Sequence, residues 1–438
     1  MPPAGIRHRM MWVNRTAYRG GEFVVRQPRV VITGLGAVSP NGIGKDAYWQ
    51  ALVEGRSGVS TITCFDPSPF PSQIAAEVKG FQPEAYVAPR EAKRMSRATL
   101  LGIAAAKMAF EDAHMQVTDA NRSRVGVGFS TTWGKADVYE NEFKSYQDRG
   151  YRAIHPTMLV EMPSHGLSSH VSATLGASGV CGTLSTGCTS GLDIIQWGCQ
   201  QIYLGHASVM IVGSAEALLA PFMMAVVSSV GALSCRNDEP EKASRPFEKN
   251  RDGLVMGEGA GALVIEEMAH AQERQASIYA EILGYANGRE GTDLVRCDLR
   301  APGMVQVLET AMYQSGVPKC QLDYISAHGN GMQDYDTAET NAIKTVFGDQ
   351  AYNIPLSSVK SMIGQPFSAA GSLQTIAACL TLQHNLITPT INYDIPDPTC
   401  DLDYVPNRAR RARLRTALVH AHGLGGTDSA LVLGKLSS

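Results

Sequence analysis

Residues 417–435, ALVHAHGLGGTDSALVLGK, repeat in outline what residues 209–217, VMIVGSAEA, and 257–267, GEGAGALVIEE, carry earlier in the chain. Each copy has an apolar run that ends in small residues, a Gly-rich turn, and a second apolar run. The chain therefore reads as duplicated. In the first copy RVVITGLGAVSPNG, residues 29–42, is a buried β-branched strand running into a Gly/Pro loop. Further strands are predicted over 124–130, 182–186, 208–213 and 261–266, with helical patterns over 96–112 and 190–204. The order returns from Ile278, with strands over 278–285, 322–327, 354–359, 416–420 and 430–433. Such alternation implies βαβ units. Two stacked α/β halves, 29–268 and 275–438, are expected, with the loops at the carboxyl ends of both sheets around a shared cleft.

The 438 residues carry Lys+Arg 38 against Asp+Glu 41, a formal charge of −3 that argues against binding nucleic acid through a globally basic surface. A hydrophobic fraction of 44%, a charged fraction of 18% and 43 glycines fit a globular α/β enzyme. The charge-free stretch 217–235 is interrupted by Pro221, Ser228, Ser229 and Gly231 and reads as a buried helix and loop, not a membrane span. Nine cysteines without CxxC or zinc-type spacing suggest a reduced, cytoplasmic chain with no structural metal. Residues 1–28 read as a basic extension. Arg7, Arg9, Arg15 and Arg19 occur there without an acidic residue before Glu22, and no apolar signal core is present. This stretch is read as mobile, or as an early start ahead of Met10 or Met11. The glycines at 34–42 lack GxGxxG, and no Walker A motif occurs.

Within residues 184–195, LSTGCTSGLDII, Cys188 stands between a predicted strand and a predicted helix. A helix N-terminus stabilises a thiolate through its dipole and unpaired N–H groups, so the thiol pKa is expected below about 8.5. The same amides suit an oxyanion. Taken alone, a cysteine among small residues is more often a packed core residue.

Thr186-GCTSG resembles the T-[AG]-C-[TA]-S-G turn of the β-ketoacyl-ACP synthases of the thiolase superfamily. Further stations fall in that family's order: VITGLGAVSPNG at 31–42, ASRPFEKNRDGLVMGEGAGALVIEE at 243–267, AHG at 327–329, KSMIG at 360–364 and GLGGT at 423–427. STGCTSGLD (185–193), FDPSPFPSQIAAE (65–77) and NYDIPDPTCDLDYVP (392–406) look most like ketosynthase α subunits of type II polyketide synthases. The resemblance implies a thiolase-like fold in five layers, α-β-α-β-α. It also implies that Cys188 takes an acyl chain from an acyl carrier protein, and that two histidines assist decarboxylation of a malonyl unit. His328 matches the first. Where the second is expected stands Gln365, whose amide donates hydrogen bonds but cannot act as an acid or base.

Lys360, Asp336 and Glu339 match the family's supporting polar positions, while Gln374 stands where a Glu is expected. His422 replaces an aromatic residue and Leu424 a gating Phe; His422 either supplies the lost imidazole or is structural. Asn330 and Met332 stand where two threonines meet the carrier arm. Arg236 matches an arginine that meets the acidic carrier protein, and Arg408, Arg410, Arg411, Arg413 and Arg415 form a second basic run; either patch is equally read as solvated surface. No tightly bound cofactor is implied, only the 4′-phosphopantetheine presented by the carrier protein. The family forms dimers through the strand near Gly182, here a homodimer or a heterodimer with a homologous chain-length-factor-like subunit. The expected activity is decarboxylative Claisen condensation with malonyl-ACP in type II polyketide or fatty-acid-like biosynthesis. The alternatives are an acyltransferase lacking decarboxylation, motivated by Gln365, and a non-catalytic chain-length-factor-like partner, against which the cysteine argues.

Overall fold

The computed structural model describes residues 16–19, 22–25, 28–291 and 297–436. Most of the basic stretch 1–28 lies outside them; its described part is mainly an antiparallel hairpin, Thr16–Arg19 with Glu22–Val25.

In the first half β1 (Val30–Ser39), β2 (Val125–Ser130), β3 (Cys181–Leu184), β4 (Val209–Glu216) and β5 (Gly259–Glu267) form a sheet in the order β3-β2-β4-β5-β1. The second half repeats it. There β6 (Ala280–Arg289), β7 (Ile325–Ser326), β8 (Leu356–Ser357), β9 (Thr416–Gly423) and β10 (Thr427–Gly434) run in the order β8-β7-β9-β10-β6. In both halves the three strands at one edge are parallel and the remaining pairs antiparallel. The duplication read from the sequence is thus a duplication of topology. One feature was not anticipated: β1 and β6 pair antiparallel through Ile32–Ala280, Val31–Glu281 and Val30–Ile282, joining the two sheets along one edge.

The layers follow from which helices are apolar all round. Helix α1 (Arg97–Asp112), with the Ser96 hydroxyl accepting from Thr99 N–H at its start, covers the outer face of the first sheet. Helices α2 (Ala136–Arg149) and α3 (Gly166–Leu175) follow β2. Helix α4 (Ser190–Tyr203) lies on the inner face of that sheet, and α5 (Pro302–Ser315) and α6 (Gln333–Phe347) cover the outside of the second. Helix α7 (Ser368–His384) has no charged residue before His384, is buried from Ser368 to Leu382, and touches both sheets. A shared core including Leu192, Ile195, Leu263, Leu373, Ile376, Val419 and Leu431 fills the space between them. This is the five-layer α/β arrangement expected. The charge-free stretch 217–235 contains a helix, Pro221–Ser229, with Met223, Met224 and Val227 buried. Among the described residues no helix is long and apolar enough to cross a membrane.

Helices α4 and α7 cross at two glycines. A Cβ on Gly371 would lie 2.8 Å from Leu192 N and 3.0 Å from Gly191 Cα, and one on Gly191 would lie 2.6 Å from Ser368 O. Both obstacles are backbone, which no rotamer change relieves. Gly371→Val is expected to lower stability by about 2–3 kcal/mol, read as a lower urea midpoint at unchanged slope; an unmoved midpoint would show that the crossing tolerates separation.

Candidate active site

β3 ends at Leu184, and a single turn, Gly187–Thr189, connects it to α4. Gly187 has φ 75°, a left-handed conformation that costs glycine little. The turn is held by Ser190 Oγ, which accepts from Thr186 N–H at 2.8 Å and donates to Gly187 O at 2.6 Å. Asp193 anchors it from one turn further on, accepting from the hydroxyls of Thr186, Thr189, Tyr285 and Ser429. Cys188 at its centre is 7% exposed.

The opposite half completes the surroundings of the sulfur. Gly423, at the end of β9, packs so tightly that a Cβ there would lie 3.2 Å from Cys188 N. The Gln365 side-chain amide and the Leu424 backbone stand near enough to the thiol to favour its thiolate. Gln365 is held by its backbone, with N–H to Val255 O at 2.8 Å and its carbonyl accepting from Gly257 N–H at 3.0 Å. Its Oε1, although buried, has no hydrogen-bond partner among the described residues. Burial pushes the Cys188 thiol up; the Gln365 amide, the charge of Lys360 and the Leu424 N–H pull the other way, and Glu216 adds to the rise. The net direction is upward, which corrects the depressed pKa expected from a helix N-terminus. Desolvation outweighs the donors, and the backbone donor identified here comes from Leu424 instead of the helix.

His328 follows β7 and is 2% exposed. Its Nδ1 accepts from His422 N–H at 3.1 Å, which puts the proton of the neutral ring on Nε2; the Asn330 Nδ2 at 3.2 Å from Nε2 is itself a donor, its Oδ1 being taken by Met332 N–H, so in this tautomer that contact is not a hydrogen bond. Burial, then Lys360, His422 and His420, hold its pKa well below the usual histidine value. The ring is therefore neutral at pH 7 and presents an N–H.

The loop carrying His328 is fastened by two carboxylates of α6. Glu339 accepts from His328 N–H at 2.7 Å, Gly329 N–H at 2.9 Å and His420 Nδ1 at 2.6 Å. Asp336 accepts from Asn330 N–H at 3.0 Å and Phe247 N–H at 2.8 Å. Burial raises both; the hydrogen bonds win at Glu339, which falls below its usual range, while Asp336 is pushed up to about 6. Lys360, after β8, donates to His328 O at 2.7 Å and to Gln374 Oε1 at 2.9 Å. Burial pushes it down to about 8, against the attraction of Glu339, Cys188 and Asp336.

The other residues singled out from the sequence separate into near and distant groups. Met332 lines a cleft of about 420 Å³ with Gly253, Asp252 and Tyr335. Asn330 faces His328 instead of that cleft. Arg236 bonds Asn250 O at 2.7 Å and lies 3.5 Å from Asp252, at the cleft's edge. The His422 ring is turned toward Asp428 at 2.6 Å and Cys297 at 3.8 Å, not toward Cys188. Leu424 is 43% exposed and contributes its backbone. In the basic run Arg410 is paired with Asp403.

Sequence reasoning missed Phe367, buried beside Cys188 with Met223, Met224 and Met256 and held at φ 44°. A non-glycine residue there is strained. It also missed Cys297 and Asp428. Among the described residues no cluster of His, Cys, Asp and Glu suits a metal ion.

Residues 27–271 match the family described as Beta-ketoacyl synthase, N-terminal domain, and residues 279–394 the corresponding C-terminal domain. The chain is 40% identical over 408 residues to 3-oxoacyl-[acyl-carrier-protein] synthase 2 of Coxiella burnetii, covering 93% of this chain and 99% of that one. It is 39% identical over 417 residues to the tetracenomycin polyketide synthase ketoacyl synthase alpha subunit of Streptomyces glaucescens, covering 93% and 97%. A ketosynthase solved in complex with its type II PKS acyl-carrier protein and bound to the hexaketide superposes with TM-score 0.87 at 32% identity, covering 94% of this chain and all of that one. The ishigamide ketosynthase/chain length factor gives 0.88 at 32%, with the same coverage. The duplicated sheets, the buried cysteine at their junction and these likenesses agree: the chain belongs to the beta-ketoacyl synthase family of acyltransferases.

Proposed function

We propose that this ketosynthase loads an acyl chain from an acyl carrier protein onto Cys188 and extends it by decarboxylative Claisen condensation with malonyl-ACP, in type II polyketide or fatty-acid-like biosynthesis. The observation that carries this reading is that one buried thiol, packed under Gly423, has the Gln365 amide and the Leu424 backbone near enough to favour its thiolate, with the neutral His328 ring buried on a neighbouring loop. In loading, the Cys188 sulfur attacks the carrier thioester, its proton passes to the departing pantetheine sulfur, and the Leu424 N–H supports the negative oxygen. In extension the malonyl thioester loses CO₂, and the enolate oxygen is stabilised by His328 Nε2–H and the Gln365 NH₂. The enolate carbon then attacks the acyl carbonyl, the bond to Cys188 breaks, and the thiol regains a proton from water. No step needs an imidazolium. Gln365 supplies a dipole where proton exchange is not required, and removing such a donor costs about 10² to 10³ in rate.

The carrier arm enters by the cleft beside Met332, with Arg236 at its edge meeting the acidic carrier protein. The chain holds no cofactor of its own in this reading; the phosphopantetheine arrives on the carrier. The halves divide at 29–268 and 275–438. A dimer forms through the β3 edge, where Cys181 is exposed, extended by Trp133, Phe143, Tyr151 and Phe222, all exposed in the single chain. The partner is a second copy or a homologous chain-length-factor-like subunit.

A second reading, acyl transfer to an alcohol, amine or thiol without decarboxylation, is favoured by Gln365 alone, since transfer needs no enolate donor. Incubation with acyl-ACP, malonyl-ACP and a competent partner subunit decides between them. CO₂ release and a β-ketoacyl product are expected, and their absence with Cys188 acylated would establish the second reading. Gln365→Ala is expected to keep Cys188 acylation while slowing condensation about 10²-fold; equal loss in both half-reactions would remove Gln365 from the enolate.

Lys360 gives a pH signature. Its folded pKa of about 8 lies below the ordinary 10.5, so between those values the unfolded chain binds the extra proton and stability rises with pH; below 8 folding carries the full cost of the buried charge. Lys360→Met is expected to lose the part of the stability increase between pH 8 and 10.5 that comes from this group, measured by urea unfolding at both ends of that window. A variant with an unchanged increase would show that Lys360 titrates normally.

A further inference from the structure

Outside the loading thiol, one more cysteine faces a histidine. Cys297 Sγ lies 3.8 Å from His422 Nε2, and His422 Nδ1 lies 2.6 Å from Asp428 Oδ1. With Nδ1–H committed to the carboxylate, Nε2 presents its lone pair to the thiol. The ring is 2% exposed and rests 4.7 Å from that of Tyr335, which fixes its plane. The second oxygen of Asp428 is buried without a hydrogen-bond partner among the described residues. Cys297 is only part-buried and lines the cleft of about 420 Å³, together with Met332 and Tyr335. A structural histidine would need only its carboxylate. Here the free nitrogen is turned to a sulfur that opens onto a cleft, and thiol, imidazole and carboxylate stand in the order that activates a nucleophile.

We propose that Cys297, His422 and Asp428 form a second transacylation site at the cleft, in which Cys297 accepts acyl groups from pantetheine-type thioesters. This rests on the reading that the cleft admits acyl thioesters. In the step, Nε2 of His422 takes the Cys297 proton as the sulfur attacks the thioester carbonyl. The carbon–sulfur bond to pantetheine breaks, and His422 returns the proton to the departing sulfur. Reversal with another thiol releases the acyl group. Burial, then Glu290, Asp428, Asp334 and Asp298, push the thiol up to about 12, so Cys297 rests as S–H and needs its base at the moment of attack. The two thiol sites are coupled through β9. His422 and Gly423 are consecutive, Gly423 packs on Cys188, and the His328 and His422 rings stand edge to face at 6.1 Å. Tyr335 lines the cleft with Cys297, and its ring lies 4.7 Å from that of His422.

The test uses hexanoyl-pantetheine, acid quenching and peptide mass spectrometry on the full chain. In Cys188→Ala the hexanoyl group is expected on Cys297, with the labelling rate at least tenfold lower when His422→Phe or Asp428→Asn is added, each checked for folding by circular dichroism. Label on Cys188 in Cys297→Ala, with none on Cys297 in Cys188→Ala, would overturn this proposal and leave the ketosynthase reading standing. Labelling of Cys297 that neither added change slows would overturn the assignment of His422 as base. No label on either cysteine would sink both readings.

Discussion

Two backbones touching at Gly191 and Gly371 set the distance on which the site depends. Helix α4 begins two residues after Cys188, and α7 begins three residues after Gln365. Because neither helix carries a side chain at the crossing, their axes approach until the peptide groups are in contact. The nucleophile from one half and the amide from the other are then delivered to the same point. Leu424 N–H arrives by the same logic, since Gly423 at the end of β9 lets that strand reach Cys188 without a Cβ between them. An added methyl at any of these glycines would act on the chemistry through distance.

The second requirement is that loops at the strand ends be rigid without being filled by apolar packing. Buried carboxylates do this. Glu339 and Asp336 collect the amides of residues 328–331, and Glu216 collects those of Thr132, Trp133 and Gly134 together with the Ser368 hydroxyl. Hydrogen bonds to charged acceptors contribute more than neutral ones, roughly 1.5–3 kcal/mol, and an orphaned amide would cost as much. These acids therefore hold the loop that carries His328 and the segment that follows β2.

How far the chain could be read beforehand depended on whether a feature is local. Strands β1, β4 and β5 are buried along nearly their whole length, so they read as continuous apolar runs, and their positions agreed with expectation to within a few residues. The stretches 322–327 and 354–359 gave ladders of only two residues, the second at the far edge of the second sheet and the first between it and β9. The β1–β6 pairing left no trace, since contacts between the halves have no periodicity. Cys188 was legible from its place between a predicted strand and a predicted helix, whereas His328 and Lys360 were legible through the family resemblance of the motifs that hold them. The role of Leu424 was not, because it acts through an N–H that every residue except proline carries. Cys297 meets His422 across 125 positions, and no spacing rule spans such an interval.

The electrostatics bear on what an amide offers beside this cysteine. A site that must hold negative charge can use cations or oriented dipoles, and burial biases the choice. Burial, then Lys360 and the neighbouring imidazoles, depress His328, and a second imidazole at the same depth would meet the same desolvation. A neutral imidazole and a carboxamide then offer the developing oxyanion the same thing, one N–H fixed in advance. What the imidazole adds is a lone pair able to take a proton, and neither the enolate nor the tetrahedral oxygen has one to give. The proton-accepting lone pair in this cleft lies instead on His422, beside Cys297, where a thiol held protonated by burial and by its acidic neighbours has a proton to lose.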